Sequence, residues 1–249
     1  MSNPESTVLL KLGGSVITKK NIPETPNYDS INTAAEIISN FAPKNLIIVH
    51  GGGSFGHHFA SEHGVTITKG THSSIKAAQI HSSMIHLCEI VTNALISVGL
   101  SAVPIHPLSV AWRDLDSVLH FPFQHISSAL NEGFVPVIHG DLILNEGLGM
   151  TVLSGDEIVQ NLSNSLPATR IGFCTSTPGV LDSSGKVISN LSSSTPLEKL
   201  PLEPNLIDVT GGMVGKIKQL EGISAPVSIF NLDNLEEFLK GNNPGTTIY

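Results

Sequence analysis

The sequence predicts an α/β protein, a three-layer αβα sandwich with a mainly parallel central sheet and two closely joined lobes. Two observations lead to this prediction. Short, continuous apolar runs alternate along the chain with longer amphipathic stretches, as in sheets that helices cover on both faces. The first two runs, 8–12 and 46–49, each end in a glycine turn, and the turns after parallel strands share the edge where ligands bind. We place a lobe boundary near residue 165.

The individual elements follow from hydrophobic periodicity, which is continuous or two-residue for strands and three- to four-residue for helices. The predicted strands are 8–12, 46–49, 102–105, 135–138, 170–174, 227–230 and 246–248. The predicted helices are 30–41, 74–98, 124–131, 157–166, 215–222 and 232–239. A hairpin is predicted between 142–144 and 150–153, and the Ser- and Pro-rich segment 192–204 is expected to be irregular. Asp29 is predicted to cap the first helix and Gly99 to end the second.

Composition narrows the class of protein. The 249 residues carry a formal net charge of −8, which argues against nucleic-acid binding because that needs a basic face. No apolar run approaches the roughly 20 residues of a membrane span, and the first residues lack a signal-peptide pattern, so we expect a cytoplasmic protein. Cys88 and Cys174 lie among apolar residues and are interpreted as buried, reduced thiols rather than metal ligands.

The most informative stretch is 46–57, in which an apolar run leads into Gly51, Gly52 and Gly53 and ends in Ser-Phe-Gly-His. Glycines after a strand let backbone N–H groups approach a phosphate, and a helix starting there adds its positive dipole end. The stretch also matches G-x-G-x-x-G, but a dinucleotide fold needs an acidic residue about 20 positions further on. Residues 69–73 contain no acid, so the pattern favours a phosphate site over an NAD site.

Three further segments are predicted to bring charge to the same sheet edge. They are Lys11 with Gly13-Gly14-Ser15, Ser154-Gly155-Asp156, and Thr210-Gly211-Gly212 with Lys216. Two facing glycine turns suit two phosphate groups, and lysines beside them would balance the charge on a phosphoryl group in transfer. The pattern therefore indicates phosphoryl transfer.

Each of these residues also has an ordinary structural interpretation. A Gly-Gly pair is most often a simple turn, and Lys216 could be a solvated helix lysine. His57 is one of eleven histidines and could lie on the surface, while Asp156 could merely cap a helix. Their order and combination favour the functional interpretation.

Taken together, these segments resemble the amino acid kinase family over nearly the whole chain. The matching residues are 11–18 (Lys-Leu-Gly-Gly-Ser-Val-Ile-Thr), 50–57 (His-Gly-Gly-Gly-Ser-Phe-Gly-His), 133–137, Gly140-Asp141, 154–156 and 210–213 with Lys216. The first and last are shared across that family. The Gly-Ser-Phe-Gly-His segment is similar to the branch whose phosphate acceptor is isopentenyl phosphate.

The resemblance implies direct transfer of the γ-phosphoryl group of ATP to isopentenyl phosphate, with Mg²⁺ held by ATP phosphates and water and by no protein ligand. It implies catalytic roles for Lys11, Lys20, His57 and Lys216. It implies ATP binding by Lys11, Gly13, Gly14, Ser15, Gly53, Thr175, Gly179, Gly212 and Lys216. It implies acceptor binding by Gly52, Gly53, His57, Ser154, Gly155 and Asp156, with Ile80 and Met84 facing the isoprenoid tail. Lys19 competes with Lys20, because a one-residue slip in the loop would exchange them.

The same resemblance assigns residues 1–165 to the acceptor and to a homodimer contact, and residues 166–249 to the nucleotide. One segment departs from the family pattern Thr-Asp-x-Asp-Gly-x-Tyr, since residues 175–181 read Thr-Ser-Thr-Pro-Gly-Val-Leu. The choice of nucleotide base therefore stays open. Two other functions also stay open: a kinase of this fold acting on an acylglutamate or a nucleoside monophosphate, and a non-catalytic oxyanion-binding protein.

Overall fold

The computed structural model describes residues 7–192, 220, 222–223 and 225–249. Its strands are β1 (Thr7–Leu12), β2 (Leu46–His50), β3 (Ala102–Ile105), β4 (Trp112–Arg113), β5 (Leu119–His120), β6 (Val135–His139), β7 (Asp141–Asn145), β8 (Gly149–Leu153), β9 (Ala168–Thr175), β10 (Asn190–Leu191), β11 (Val227–Asn231) and β12 (Thr246–Ile248). Its helices are α1 (Gly14–Ile17), α2 (Tyr28–Phe41), α3 (Gly53–His63), α4 (Ser74–Ser97), α5 (Pro107–Val110), α6 (Gln124–Asn131), α7 (Gly155–Ser165) and α8 (Leu235–Leu239). A 3₁₀ turn, Leu232–Asn234, precedes α8.

The larger sheet has eight strands in the order β10-β12-β11-β9-β1-β2-β6-β3. Every neighbouring pair in it is parallel except β11 and β12, which confirms the predicted mainly parallel sheet. β1 lies near its centre, so that Lys11 is opposite Val49 of β2 on one side and Phe173 of β9 on the other. The second sheet, of order β5-β4-β7-β8, contains the predicted hairpin as β7 and β8.

Helices cover both faces of the large sheet, which confirms the three-layer sandwich. Successive side chains of a strand point to opposite faces. The even-numbered β1 residues Val8, Leu10 and Leu12 therefore pack with α2, α4 and α8. Leu9 packs on the other face with α6 and α7. Since Lys11 follows the same alternation as Leu9, its side chain lies on the α7 face.

Most predicted elements are present, and the differences have local causes. Asp29 lies in the first turn of α2 rather than at its cap, because the helix begins at Tyr28 with Asn27 in the N-cap position. The predicted helix 157–166 begins two residues earlier, at Gly155. Six of the described elements were given no bounds from the sequence. Five of them (α1, α5, β4, β5 and β10) have two to four residues, too few to show a period. The sixth is α3, whose eleven residues include only two buried ones, Ser54 and Phe55, so no apolar spacing marks it.

Some expectations concern parts of the chain outside the described residues. The predicted helix 215–222 and the predicted irregular segment 192–204 fall there almost entirely. The lobe boundary near residue 165 falls at the connection between α7 and β9, and the division into lobes stays a prediction. Among the helices that the structure describes, none is both long enough and apolar enough to span a membrane.

Candidate active site

The two glycine turns that follow β1 and β2 touch each other through their backbones. A Cβ atom on Gly14 would lie 2.3 Å from the Gly53 nitrogen, and a Cβ atom on Gly51 would lie 2.8 Å from the Gly14 nitrogen. The first turn is also hydrogen-bonded to β9, the other neighbour of β1 in the sheet, because the Gly13 N–H donates to the Cys174 carbonyl at 2.8 Å. Only residues without side chains allow this approach, and it brings the carboxyl ends of β1, β2 and β9 together.

The hydroxyl of Thr18 joins the two turns. Its Oγ1 donates to the Gly14 carbonyl at 2.7 Å and accepts from the Ser54 N–H at 3.0 Å. Gly53 fits beneath it with a positive φ of 48°, and a Cβ atom on Gly53 would lie 2.1 Å from Thr18 Oγ1. Thr18 is buried and belongs to the first sequence motif, where it was given no role of its own. It fixes the distance between the turns.

The side chain of Lys11 forms an ion pair with Asp156 at this edge. Lys11 Nζ lies 2.5 Å from Asp156 Oδ1, with side chains 7% and 16% exposed. The ammonium group also lies 5.6 Å from the centre of the Phe173 ring, within cation–π range. A Cβ atom on Gly155 would lie 3.1 Å from Lys11 Cε, so this glycine leaves room for the lysine. The ion pair fixes the position of the Lys11 ammonium group beside the glycine turns.

The start of α7 is held rigidly, which positions Asp156. Ser154 Oγ accepts from the Glu157 N–H at 3.1 Å, and Glu157 Oε2 accepts from the Ser154 N–H at 3.0 Å. This reciprocal capping box satisfies two N–H groups at the helix start. Arg113 Nη2 adds a 2.7 Å contact to Glu157 Oε1. Ser154 thus positions α7. Its hydroxyl only accepts in the capping box and keeps its own O–H for donation, so acceptor binding by Ser154 stays a prediction.

Comparison with known proteins agrees with the arrangement of these turns. The model of the amino acid kinase family matches residues 6–221. The chain belongs to the amino acid kinase family.

An isopentenyl phosphate kinase from Haloferax volcanii is 42% identical over 244 residues, covering 98% of each chain. One from Methanothermobacter thermautotrophicus is 34% identical over 231 residues, covering 86% of this chain and 85% of the relative. A solved structure of isopentenyl phosphate kinase aligns with a TM-score of 0.78 at 29% identity, covering 98% of this chain and all of that one. The family resemblance seen in the sequence is thus confirmed.

One of the expected catalytic lysines lies in the loop after α1. It is Lys20 or its competitor Lys19, and both are exposed. The loop lies against α3, because the Glu24 N–H donates to the Ser54 carbonyl and the Thr25 N–H donates to Ser54 Oγ, both at 3.3 Å. These contacts hold the loop that carries both lysines against the glycine turn at the start of α3. The choice between Lys19 and Lys20 stays a prediction.

His57 lies in the second turn of α3 and is exposed, as is Ser15 in α1. Both are accessible to a bound molecule at this edge of the amino acid kinase fold. Their roles towards acceptor and ATP stay predictions. Gly212 and Lys216 lie outside the described residues.

Two apolar residues expected at the acceptor tail are buried on α4. Met84 is 1% exposed, and its Sδ lies 3.0 Å and 2.9 Å from where Cβ atoms would stand on Gly52 and Gly56. Ile80 is 2% exposed and packs in a small cluster with Val65 and its neighbours. Met84 thus lies directly behind the second glycine turn, whereas contact of either residue with a tail stays a prediction.

The segment that departs from the family pattern is held by its own contacts. Thr175 Oγ1 donates to the Thr177 carbonyl at 2.9 Å. A Cβ atom on Gly179 would lie 2.7 Å from Thr246 Oγ1 and 2.8 Å from Val187 Cγ1. Close packing against β12 is therefore sufficient reason for glycine at 179. ATP binding by Thr175 and Gly179 stays a prediction.

Two buried histidines end the neighbouring strands β2 and β6 and were not singled out from the sequence as site residues. His50 and His139 are opposite each other in the sheet, with ring centres 5.6 Å apart. Burial lowers the pKa of each to about 4, so both are neutral at neutral pH. His50 Nδ1 lies 3.1 Å from the Gly51 carbonyl, to which it must donate because a carbonyl only accepts.

Proposed function

We propose that this protein phosphorylates isopentenyl phosphate, taking the γ-phosphoryl group of ATP in one direct, in-line step. The observation that carries the proposal is the backbone contact between the turn after β1 and the turn that starts α3. Direct transfer needs two bound phosphates held close together and aligned. Two glycine turns in contact support this, one binding the donor and the other the acceptor. Kinship with isopentenyl phosphate kinases supports the choice of acceptor.

On the donor side, Gly13, Gly14 and Ser15 bind ATP phosphates through their backbone. This turn fits a phosphate chain because its first two residues expose backbone where a side chain would not fit: a Cβ atom on Gly13 would lie 2.9 Å from the Cys174 carbonyl oxygen, and a Cβ atom on Gly14 would lie 2.3 Å from the Gly53 nitrogen. The ATP supplies the phosphoryl group, together with Mg²⁺ that its own phosphates and water hold. The ammonium of Lys11 stabilises negative charge on the transferring group, and Asp156 holds that ammonium in position. Lys20 and Lys216 add further positive charge.

On the acceptor side, Gly52, Gly53 and Gly155 offer backbone and His57 offers an imidazole N–H. A phosphate monoester has its second pKa near 6, so the acceptor arrives largely as a dianion and needs no strong general base. It needs hydrogen-bond donors, and a histidine supplies one without the repulsion that a carboxylate would cause. Met84 and Ile80 provide apolar surface for the isoprenoid tail.

Further proposals concern the state of the protein. We propose a homodimer formed through residues 1–165 and a cytoplasmic location. Gel filtration with light scattering measures the first, and a molar mass near that of one 26.3 kDa chain would reject it.

The acceptor is identified by ADP release from ATP and Mg²⁺ with three acceptors in parallel: isopentenyl phosphate, N-acetylglutamate and UMP. We expect turnover with isopentenyl phosphate and at least 100-fold lower kcat/KM with the other two. Turnover with N-acetylglutamate or UMP alone would assign another kinase reaction of this fold. Calorimetry that showed no binding of ATP with Mg²⁺ would instead support a non-catalytic oxyanion-binding protein.

Replacing His57 with Ala should raise the KM for isopentenyl phosphate at least tenfold, because the acceptor loses a hydrogen-bond donor to a charged group. The KM for ATP should stay within about twofold. His57→Asn, which keeps a donor, should recover part of the loss. His58→Ala is the matched control, since His58 is the next exposed residue of α3. Equal acceptor KM values for the His57→Ala and His58→Ala variants would contradict the assignment.

A further inference from the structure

We propose that Cys88, His106 and His139 form a buried binding site for a thiolate- and imidazole-binding divalent cation of the Zn²⁺ class. No metal site on the protein was predicted from the sequence, and Cys88 was interpreted as a buried, reduced thiol. The site comes from three separate elements, since Cys88 lies on α4, His106 precedes α5 and His139 ends β6. It is independent of the proposed kinase reaction.

The three potential ligand atoms converge in one place. One atom from each of Cys88, His106 and His139 lies within 4.8 Å of the other two. His106 Nδ1 and His139 Nε2 are 2.8 Å apart. Cys88 and His139 are buried, and His106 is partly buried. One thiolate and two imidazoles are a typical ligand set for Zn²⁺, with water as the fourth ligand.

The ring of His139 has the orientation that a metal ligand requires. Its Nδ1 lies 3.0 Å from the Gly140 carbonyl, so Nδ1 carries the proton and donates it. Nε2 then presents a lone pair towards His106. Metal-binding histidines commonly donate from the other ring nitrogen to a carbonyl in this way, which fixes the tautomer.

The charge of the surroundings favours a cation. The Asp141 side chain is fully buried, with Oδ2 2.8 Å from His81 Nδ1 and 3.9 Å from His139 Nδ1. The hydrogen bond to Asp141 raises the pKa of His81. A divalent cation with one thiolate carries one net positive charge. The Asp141 carboxylate, which His81 also faces, offsets part of that charge and reduces the cost of burying it.

Without a cation, His106 Nδ1 donates its proton to the lone pair of His139 Nε2 at 2.8 Å, so cation binding replaces this hydrogen bond and moves the His106 proton to Nε2 of the same ring. Burial lowers the pKa of His139 to about 4 and also lowers that of His106. Burial raises the pKa of Cys88 to about 12, so the cation must displace one thiol proton on binding. Within the described part of the chain, the Nε2 of the neighbouring His50 has no hydrogen-bond partner, which adds a further lone pair beside the cluster.

The change in geometry on binding is small. Tetrahedral Zn²⁺ with bonds of about 2.0 Å to nitrogen and about 2.3 Å to sulfur places its ligand atoms roughly 3.3–3.6 Å apart. The two imidazole nitrogens would separate by roughly 0.5 Å, and Cys88 Sγ, which lies at most 4.8 Å from the other two ligand atoms, would approach them by up to roughly 1.3 Å. The bound cation would link α4, which carries Met84, to the ends of two strands, and would stabilise the folded state.

The experiment uses untagged, reduced protein that has been dialysed against a chelator and is then titrated with Co²⁺. We expect one equivalent to bind, with a thiolate-to-cobalt charge-transfer band and tetrahedral visible bands, and Zn²⁺ should displace it. Cys88→Ser should lose the charge-transfer band, and His106→Gln should weaken binding at least tenfold. The control is Cys174→Ser, because Cys174 is an equally buried thiol and its loss should leave the band unchanged.

The wild-type protein alone is sufficient to reject the site, whatever the variants do to folding. Absence of the charge-transfer band at saturating Co²⁺ would overturn the proposal. An unchanged band in Cys88→Ser, with circular dichroism showing a folded protein, would do the same. Thermal unfolding gives an independent readout, since Zn²⁺ should raise the Tm of the wild type and of Cys174→Ser but not of Cys88→Ser.

Discussion

Replacing Lys11 with Met is expected to lower kcat for isopentenyl phosphate phosphorylation by about 10²–10³-fold, the loss typical for one preorganised charge stabiliser in a transition state. The ammonium is 7% exposed and is held by Asp156, so it acts with little screening by water. Met keeps the length and apolar stem of the side chain and removes only the charge. The measurement is kcat at saturating ATP and acceptor, together with single-turnover rates.

The same substitution leaves the Asp156 carboxylate without its partner, and a destabilised protein must be distinguished from an impaired catalyst. We expect Lys11→Met to lower the free energy of unfolding by up to about 3 kcal/mol, as when one partner of a buried pair is removed. The double variant Lys11→Met/Asp156→Asn should recover most of that stability and none of the activity. If Lys11→Met kept kcat within about threefold of wild type, Lys11 would not stabilise the transferring group.

Replacing Gly53 with Ala is expected to lower kcat/KM at least 100-fold, because the new methyl group would separate the two glycine turns. Its Cβ atom would lie 2.1 Å from Thr18 Oγ1 and 2.6 Å from the Gly14 carbonyl oxygen. Those two atoms are hydrogen-bonded to each other, and Thr18 Oγ1 also accepts from the Ser54 N–H. Moving both atoms away from Gly53 would therefore break the hydrogen bond that joins the two turns. A shift of about 1 Å between reacting groups costs on the order of 10²-fold in rate.

Gly185→Ala provides the matched control for Gly53→Ala. Both glycines have positive φ, 48° and 80°, but nothing lies within 4 Å of a Cβ atom on Gly185. Gly185→Ala therefore measures the conformational cost alone, about 1–2 kcal/mol, with little change in activity. Gly53→Ala should add a steric cost in urea unfolding and the loss of turnover. Two variants with the same kcat/KM would show that contact between the turns is not needed.

Much of the fold was predictable because its signals are local. The continuous apolar runs of β1 and β2 and the three- to four-residue spacing along α4 depend on neighbouring residues only. Gly99 was predicted to end α4, and the helix does end just before it. The glycine turns were recognised for the same reason, since a strand followed by consecutive glycines forms a signal within a few residues.

The contacts of the site were less accessible to sequence reasoning. Lys11 and Asp156 are 145 residues apart, and each was singled out separately, without the ion pair that joins them. Thr18 was quoted within a motif, yet its hydroxyl joins the two turns only because the Ser54 N–H lies beside it. The packing of α3 on α1 places Ser54 there. Gly179 was singled out for the nucleotide, and its close packing against Thr246 of β12 was not foreseen.

The sequence by itself determined the α/β class, the two glycine turns at the ends of β1 and β2, and the family. These depend on hydrophobic period and backbone preference, which act over a few residues. The tertiary structure alone decided three things: that Lys11 faces α7, that Gly14 touches Gly53, and that Cys88, His106 and His139 converge. Strand order, register and helix packing create such contacts between residues far apart in the chain, and no local pattern encodes those distances.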